Sequence, residues 1–256
     1  MSLNDWQDKR QFSQEEVQQI VGEILQKRFD HEKREKLERF RRLNRFVRPG
    51  QIVFAGSSLM EQFPIYELLL DLQLPYTIYN RGIGGYTTTE LMETMPECIY
   101  DLKPAYVFIN IGTNDMNGPD YRREVLLSNY EKILRGIQEH LPGTEIYTLS
   151  YYPVNPVIGK ENPGIDEMLR YRTNARIQDA NDGVKEMSAR LGLRYVDVNA
   201  GLCDGQGNLK AEFTVEGIHM YGNGYRVVID NLMPVLETLP ESDPDQACAA
   251  AARHQR

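Results

Sequence analysis

The chain has 256 residues, of which 41% are hydrophobic, so it is long enough to bury the core of one large α/β domain. It carries 29 basic and 37 acidic residues, and the resulting net charge of -8 disfavours a nucleic-acid partner. No apolar run reaches membrane-spanning length, and the N-terminus lacks the apolar stretch of a signal peptide.

Residues 1–49 combine many charges with a helical pattern of apolar residues. Ser13 and Glu16 have the spacing of a capping box. One apolar stripe follows, made of Val17, Ile20, Val21, Ile24, Leu25 and Phe29. We predict one or two amphipathic helices that pack on the body of the protein or on a second subunit, so a homodimer is one candidate assembly. Acidic residues alternate with the arginines here, which makes a nucleic-acid or lipid surface the weaker interpretation.

Strand and helix patterns alternate from residue 50 onward. The predicted strands cover residues 51–55, 77–82, 105–112, 145–154 and 194–199. Helices are expected between them, including one long helix over roughly 166–191. The alternation predicts right-handed crossovers and a three-layer α/β/α sandwich with a five-stranded parallel sheet over residues 50–240. Residues 241–256 are expected to form a disordered tail.

The three cysteines, Cys98, Cys203 and Cys248, are odd in number and widely separated. They indicate neither a disulfide framework nor a metal site, and the four histidines show no zinc-binding pattern. We therefore expect reduced thiols, a cytoplasmic location, and no metal or organic cofactor.

Ligands of an open parallel sheet bind beyond the carboxyl ends of its strands, so the residues after each strand are candidates for a site. The first strand leads into GSS (56–58) and the second into the glycine block RGIGGYTT (81–88). The third leads into GTND (112–115), and the fifth leads by a loop to EGIH (216–219). A serine, a glycine turn, an asparagine and a histidine are therefore expected at one edge of the sheet.

These groups are the ones that acyl transfer needs. A serine becomes a nucleophile when a base such as His219 takes its proton, and Glu216 is close enough in the loop to fix the ring tautomer. Gly85 has no side chain to block the approach of its N–H to an oxyanion, and the Asn114 amide is a further donor. Each motif alone has a plainer interpretation, since the serines could cap a helix, the glycines form a turn and the histidine lie on the surface.

Together the four blocks resemble the SGNH (GDSL-type) hydrolases, serine esterases with a flavodoxin-like sheet. GSSL (56–59) stands where that family has GDSL, GTND matches its asparagine block, and EGIH stands where DxxH is usual. The glycine and asparagine blocks are similar to those of its platelet-activating-factor acetylhydrolase-like branch. The resemblance implies an ester hydrolase that releases acetyl or other short acyl groups.

The resemblance also assigns roles to residues. It implies Ser58 as the nucleophile, His219 as the base, and an oxyanion hole made of the Ser58 and Gly85 N–H groups and the Asn114 side chain. Two positions depart from the family pattern. Ser57 replaces the aspartate of GDSL, and Glu216 is one methylene longer than the usual aspartate, so its loop would have to retreat.

The substrate side is less specified by the sequence. Four residues near the blocks are predicted to bind substrate: Ser57, Tyr86, Tyr152 and Asn155. The acylated substrate could be a sugar, a lipid headgroup or a small metabolite. A thioesterase or acyltransferase on the same scaffold and a non-catalytic ligand-binding relic stay open as alternatives.

Overall fold

The computed structural model describes residues 13–240, so the predicted tail at 241–256 lies outside the described residues. Helix α1 (Gln14–Leu43) is one continuous helix of 30 residues. The capping box predicted before it is present, because Ser13 Oγ accepts from the Glu16 N–H at 3.1 Å and the Glu16 carboxylate accepts from the Ser13 N–H at 2.8 Å. In its C-terminal half, Leu37 and Phe40 pack against the core.

Five parallel strands form one sheet in the order β2-β1-β3-β4-β5. They are β1 (Ile52–Gly56), β2 (Ile78–Gly82), β3 (Tyr106–Asn110), β4 (Glu145–Leu149) and β5 (Arg194–Val196). Every residue of β1 is buried, as a central strand with helices on both faces requires. The predicted five-stranded parallel sheet is confirmed.

The fourth strand ends at Leu149, earlier than the predicted 154. Beyond it the backbone pairs with side chains: the Tyr151 N–H donates to Asn181 Oδ1 at 2.7 Å and the Val154 N–H donates to Asn174 Oδ1 at 2.8 Å. These two asparagines replace a neighbouring strand as hydrogen-bond partners, so the apolar run continues as an irregular buried segment.

The remaining helices cover both faces of the sheet. They are α2 (Ser58–Glu61), α3 (Ile65–Asp71), α4 (Thr88–Glu93), α5 (Met95–Cys98), α6 (Arg123–His140), α7 (Pro156–Gly159), α8 (Pro163–Leu169), α9 (Asn174–Arg190) and α10 (Gly222–Leu236). One apolar cluster packs α4, α5, α6 and α9 on one face, and a second packs α2, α3 and α10 on the other. This is the predicted three-layer α/β/α sandwich. None of the helices described in residues 13–240 is long and apolar enough to cross a membrane.

The long helix predicted over 166–191 is instead two helices, α8 and α9, separated by residues 170–173. Thr173 is the N-cap of α9, and its Oγ1 accepts from the Arg176 N–H at 3.2 Å. The prediction of a single helix was wrong because the apolar periodicity continues across this break.

Candidate active site

Ser58 is the first residue of α2 and follows β1 after a sharp turn. A Cβ at Gly56 would lie 2.2 Å from Asn110 O, so only glycine fits where the strand turns. Ser57 is extended and fully buried, whereas Ser58 is partly exposed. The turn therefore presents the Ser58 hydroxyl at the carboxyl edge of the sheet.

Ser58, His219 and Glu216 form one hydrogen-bonded chain. His219 Nε2 lies 2.9 Å from Ser58 Oγ, and His219 Nδ1 lies 2.7 Å from Glu216 Oε1. An ionised carboxylate only accepts, so Nδ1 carries the ring proton and Nε2 is free to accept from the serine hydroxyl. The three side chains have the arrangement of a nucleophile, its base and an orienting carboxylate.

Glu216 reaches the imidazole ring because its loop folds back tightly. The same oxygen, Oε1, also accepts from the His219 backbone N–H at 2.9 Å. Gly217 between them has a φ of 103°, and its N–H donates to Thr214 Oγ1 at 2.8 Å. The tight turn thus accommodates a side chain one methylene longer than aspartate.

The charge of Glu216 is stabilised by its partner. Burial alone would raise the pKa of Glu216, but hydrogen bonds from the His219 ring and backbone and the charge of His219 outweigh burial, and the pKa lies below its ordinary value. The carboxylate is therefore ionised at neutral pH and can stabilise an imidazolium that forms on His219.

The backbone N–H groups of Ser58 and Gly85, at this edge, have no hydrogen-bond partner among residues 13–240. The glycine turn lies beside Ser58, because a Cβ at Gly84 would be 3.9 Å from Ser58 Cβ. Gly85 has a φ of 72°, which favours glycine. Unpartnered N–H groups beside a serine hydroxyl are suited to an oxyanion.

Asn114 lies in the 3₁₀ turn Thr113–Met116 that follows β3. Its Nδ2 donates to Tyr86 O at 3.0 Å, and its Oδ1 accepts from Arg172 Nη2 at 2.7 Å. A guanidinium has only donors, so the oxygen of the amide faces Arg172 and the NH₂ group faces the glycine turn. One of the two N–H bonds of that group is used by Tyr86, and the other is available to a ligand.

Arg172 is a site residue that the sequence did not reveal. Its side chain is 3% exposed, and its Nε donates to Asn117 Oδ1 at 2.9 Å. Burial lowers the pKa of Arg172 to about 10, against the opposing charges of Asp115 and Glu216, so it stays charged at neutral pH. The only local signal is Thr173, whose capping role marks the helix break in which the arginine lies.

Asp115, next to Asn114, is a partly buried residue whose carboxylate joins two segments of the chain. It accepts from the Thr88 N–H at 3.0 Å and from the Thr88 hydroxyl, which joins the turn after β3 to the start of α4. Burial raises the pKa of Asp115 despite these hydrogen bonds. Across residues 13–240, no three His, Cys, Asp or Glu side chains gather where they could hold a metal ion.

Two predicted substrate-binding tyrosines are core residues. Tyr86 is 4% exposed and Tyr152 is 2% exposed, and each belongs to one of the two apolar clusters. Both rings pack in the core in this conformation, and a substrate-binding role for them stays a prediction. Arg81, beside the glycine block, likewise packs inward, where its guanidinium donates to Asn44 Oδ1 and lies 4.8 Å from the Phe40 ring centroid.

The other two predicted substrate-binding residues are also turned inward. The Ser57 hydroxyl is buried and has no hydrogen-bond partner among the described residues. Asn155 is the N-cap of α7, where its Oδ1 accepts two backbone N–H groups, and its Nδ2 donates to Leu209 O at 2.7 Å. The capping and bridging bonds occupy the Asn155 amide, so its substrate-binding role stays a prediction that these contacts do not support.

The comparisons with known proteins agree with this geometry. The sequence profile described as the GDSL-like Lipase/Acylhydrolase family matches residues 55–227. The chain belongs to this family. The resemblance that the four sequence blocks indicated is thereby confirmed, and α1 of this GDSL-like acylhydrolase lies outside the matched range.

Curated relatives of this GDSL-like acylhydrolase include an acetylhydrolase subunit. This chain is 26% identical over 216 residues to platelet-activating factor acetylhydrolase IB subunit alpha2 of Gallus gallus. The alignment covers 82% of this chain and 88% of that protein. It is also 26% identical over 196 residues to an N-acylneuraminate cytidylyltransferase of Escherichia coli O18:K1:H7. That match covers 76% of this chain and 42% of the cytidylyltransferase, so the chain spans less than half of that relative.

Solved structures give the same result. A protein from Streptococcus pneumonia, provisionally described as a platelet activating factor, superimposes with a TM-score of 0.75 at 31% sequence identity. The alignment covers 85% of this chain and 98% of that one. A GDSL-like lipase from Bacteroides thetaiotaomicron has a TM-score of 0.65 at 20% identity and shares the fold.

Proposed function

We propose that this acylhydrolase is a serine carboxylic ester hydrolase with Ser58 as its nucleophile. The observation that carries the proposal is the continuous hydrogen-bonded chain from Ser58 Oγ through the His219 ring to Glu216, with contacts of 2.9 and 2.7 Å. The unpartnered N–H groups of Ser58 and Gly85 lie at the same edge. Nucleophile, base and oxyanion donors are thus in one place.

The first half of the reaction forms an acyl-enzyme. Ser58 Oγ attacks the ester carbonyl carbon while its proton moves to His219 Nε2. The carbonyl oxygen becomes an oxyanion that accepts from the Ser58 and Gly85 N–H groups and the free N–H of Asn114. The bond from carbon to the alcohol oxygen then breaks, and the alcohol leaves with the proton from His219.

The second half restores the enzyme. A water molecule gives a proton to His219 Nε2 and attacks the acyl carbon, and the same donors stabilise the second oxyanion. The bond from carbon to Ser58 Oγ breaks, the serine takes back the proton, and the carboxylic acid leaves. Glu216 remains ionised throughout and stabilises the imidazolium of His219 in both halves.

We further propose that the acyl group is acetyl or another short chain. The support is the similarity to the acetylhydrolase alpha2 subunit over 82% of this chain. The two proteins are only 26% identical, so the acyl preference is inferred by analogy with a family member. The alcohol part of the ester, an acetylated sugar or a lipid headgroup, is likewise a prediction. A cytoplasmic location also stays a prediction.

The alternatives predict different products. A thioesterase or acyltransferase would form the same acyl-enzyme but prefer a thiol leaving group or an alcohol acceptor over water. A ligand-binding relic would leave the serine unreactive. The relic is the less supported of the two, because the longer Glu216 side chain still lies 2.7 Å from the His219 ring.

Hydrolysis of p-nitrophenyl esters from acetate to octanoate tests the proposal. Wild type should turn over with a rate that falls as the chain lengthens, and Ser58→Ala should be inactive. Ser57→Ala is the matched control, because its buried hydroxyl has no partner among residues 13–240 to lose. A fluorophosphonate probe should label Ser58 in wild type and in the control. A folded wild type with neither turnover nor label would contradict the proposal, and faster thioester than ester cleavage would favour the thioesterase.

We also propose that two copies of the chain pair through the N-terminal half of α1. Five residues of the predicted stripe are exposed by 43% to 59%, namely Val17, Ile20, Val21, Ile24 and Leu25, whereas the sixth, Phe29, packs on the glycine turn. At 3.6 residues per turn, the centre of these five residues lies about 160° around the helix from Lys33, Leu37 and Phe40, which face the body. The stripe is therefore free to contact another molecule.

The charges on α1 support a second copy as the partner. Glu15 and Glu16 begin the helix, and Lys27 and Arg28 lie about three turns later. An antiparallel pair would set the acidic turn of each copy against the basic turn of the other.

A further inference from the structure

Helix α1 contacts the glycine turn beside Ser58 through two lysines. The first is Lys36, whose Nζ lies 2.6 Å from Glu61 Oε1. The other oxygen of that carboxylate accepts from the Gly84 N–H at 2.6 Å. Glu61 is the last residue of α2, the helix that begins with Ser58. One ion pair therefore joins α1, the nucleophile helix and the glycine turn.

The second lysine, Lys33, binds the other side of the same turn. Its Nζ donates to Gly85 O at 3.2 Å and lies 2.6 Å from Glu90 Oε1. The Glu90 carboxylate also accepts from the Thr87 N–H at 2.9 Å, as part of the capping box of α4. The Lys33 side chain is 13% exposed, so its ammonium group is shielded from water and its hydrogen bonds are strengthened.

Phe29 fills the remaining space between α1 and the turn. A Cβ at Gly85 would lie 2.0 Å from Phe29 Cζ, so any other residue at that position would have to displace the ring. The Lys33 ammonium lies 4.5 Å from the centroid of the same ring. The helix is thus packed directly on the backbone of Gly85.

The C-terminal end of α1 is fixed to the body. Arg41 lies 2.8 Å from a carboxylate oxygen of Glu97, and Asn44 Nδ2 donates to Glu97 O at 2.8 Å. Asn44 Oδ1 accepts from the guanidinium of Arg81 at 2.9 Å. Lys33 and Lys36 therefore extend from a supported part of the helix.

We infer that Lys33 and Lys36 are positioning residues for the oxyanion hole. Glu61, paired with Lys36, fixes the peptide unit that carries the Gly84 N–H, and Lys33 fixes the unit that carries Gly85 O. The peptide unit between these two carries the Gly85 N–H, which is left without a partner among residues 13–240. The inference rests on the proposed esterase function, in which that N–H stabilises the oxyanion.

A glycine turn needs such support because its backbone is the most permissive in the chain. An oxyanion donor acts only when it is already oriented, since reorienting it during the reaction would cost the free energy that it supplies. The supporting helix lies outside residues 55–227, so it is not part of the sequence pattern that defines the family. Helix α1 therefore gives this chain an additional support for the Gly85 N–H, a group that lies within the family pattern.

The experiment compares Lys33→Met, Lys36→Met and the double variant with the conservative changes Lys33→Arg and Lys36→Arg. Arg39→Met is the control, since Arg39 lies on the same helix and is exposed. With p-nitrophenyl acetate, we expect each Met variant to lower kcat by about 10- to 100-fold with KM changed less than twofold. The Arg variants should recover most of kcat, and the control should match wild type.

Hydrogen exchange of the peptide covering residues 82–87, followed by mass spectrometry, measures the turn without any substrate. The Met variants should raise exchange in this peptide and leave β1 and β3 unchanged. If wild type hydrolyses no ester, the proposed function fails and the exchange result alone decides the inference. Unchanged exchange in the double variant would overturn it, and so would a rise in exchange spread over the whole sheet.

Discussion

The guanidinium of Arg172 binds the Asn114 carboxamide by its oxygen, with 2.7 Å between Nη2 and Oδ1. Because arginine only donates, this contact determines that the NH₂ end of Asn114 faces the glycine turn. The two residues are 58 positions apart in the sequence, so the orientation of a proposed oxyanion donor depends on a distant loop.

Arg172→Met should lower kcat by about 10- to 100-fold with little change in KM, because methionine is of similar length but cannot orient the amide. Removing Asn114 itself, in Asn114→Ala, should cost about 10²–10³ in kcat. The double variant should be no slower than Asn114→Ala alone, since Arg172 acts through Asn114. Steady-state kinetics with p-nitrophenyl acetate measure all three.

Arg172→Met should also lower the stability of the fold, and this effect must be measured separately from the loss of kcat. Without the guanidinium, Asn117 Oδ1 loses its partner Arg172, whereas Asn114 Oδ1 still accepts from Asn117 Nδ2 at 3.3 Å, so we expect a loss of about 1–3 kcal/mol in the free energy of unfolding. Urea unfolding gives this quantity, and Arg172→Lys, which keeps a charge and one donor, should lie between wild type and Arg172→Met. Fully additive effects of Arg172→Met and Asn114→Ala on kcat would contradict the proposed coupling.

Glu216→Gln should reduce kcat strongly, by up to about 10⁴, the loss expected when an orienting carboxylate becomes an amide. Glutamine has the same reach, so this change isolates the charge. Glu216→Asp keeps the charge but shortens the side chain, and it should lose activity because the 2.7 Å contact with His219 Nδ1 is no longer made within this turn. A drop of less than tenfold in Glu216→Gln would mean that the carboxylate is dispensable.

Glu216 should also make stability depend on pH in the acid range. Its pKa is lower in the folded chain than the ordinary glutamate value of about 4.3, so the unfolded chain binds the proton first. The stabilisation is therefore complete above that ordinary value and is lost as pH falls through the lowered pKa of the folded state. Urea unfolding between pH 6 and pH 3 should show a steeper loss for wild type than for Glu216→Gln. Parallel curves would rule out this contribution.

The exposed stripe of α1 should determine the oligomeric state. Replacing Ile20 and Ile24 together by glutamate would place charges in the apolar pairing surface, and light scattering should show the mass falling from that of two chains to that of one. Leu70→Glu is the control, because Leu70 is 80% exposed on α3, away from the stripe. A single-chain mass for wild type at micromolar concentration would overturn the proposed dimer.

The sequence was sufficient to predict that the site residues lie at one edge of the sheet, because parallel strands all run in the same direction. Gly56 pairs with Gly82 on one side of β1 and with Asn110 on the other, so the turns after the three strands start at the same level. That arrangement follows from the alternation of strands and helices and needs no knowledge of side-chain contacts. Ser58, the glycine turn and Asn114 could be predicted together for this reason.

Contacts between distant segments could not be predicted in the same way. Lys33 and Gly85 are 52 positions apart, and nothing in the local pattern of either segment indicates that they meet. The burial of Tyr152 depends on side chains of α10 that lie over 70 positions later, such as Tyr225 and Val228. From sequence alone, a tyrosine after a strand can equally be a pocket residue or a core residue, because the helix that covers it is not known.

The pairing of Gly56 with Gly82 fixes the distance between the turns that follow β1 and β2. Ser58 follows β1 and the glycine turn follows β2 from the same level of the sheet, so the distance between them depends on the number of residues in each strand. Deleting one residue from either strand would shift one turn against the other by about 3.3 Å, more than the tolerance of a hydrogen bond. The loops at the opposite edge of the sheet can vary in length, because such a change leaves the pairing of residues between the strands unaltered.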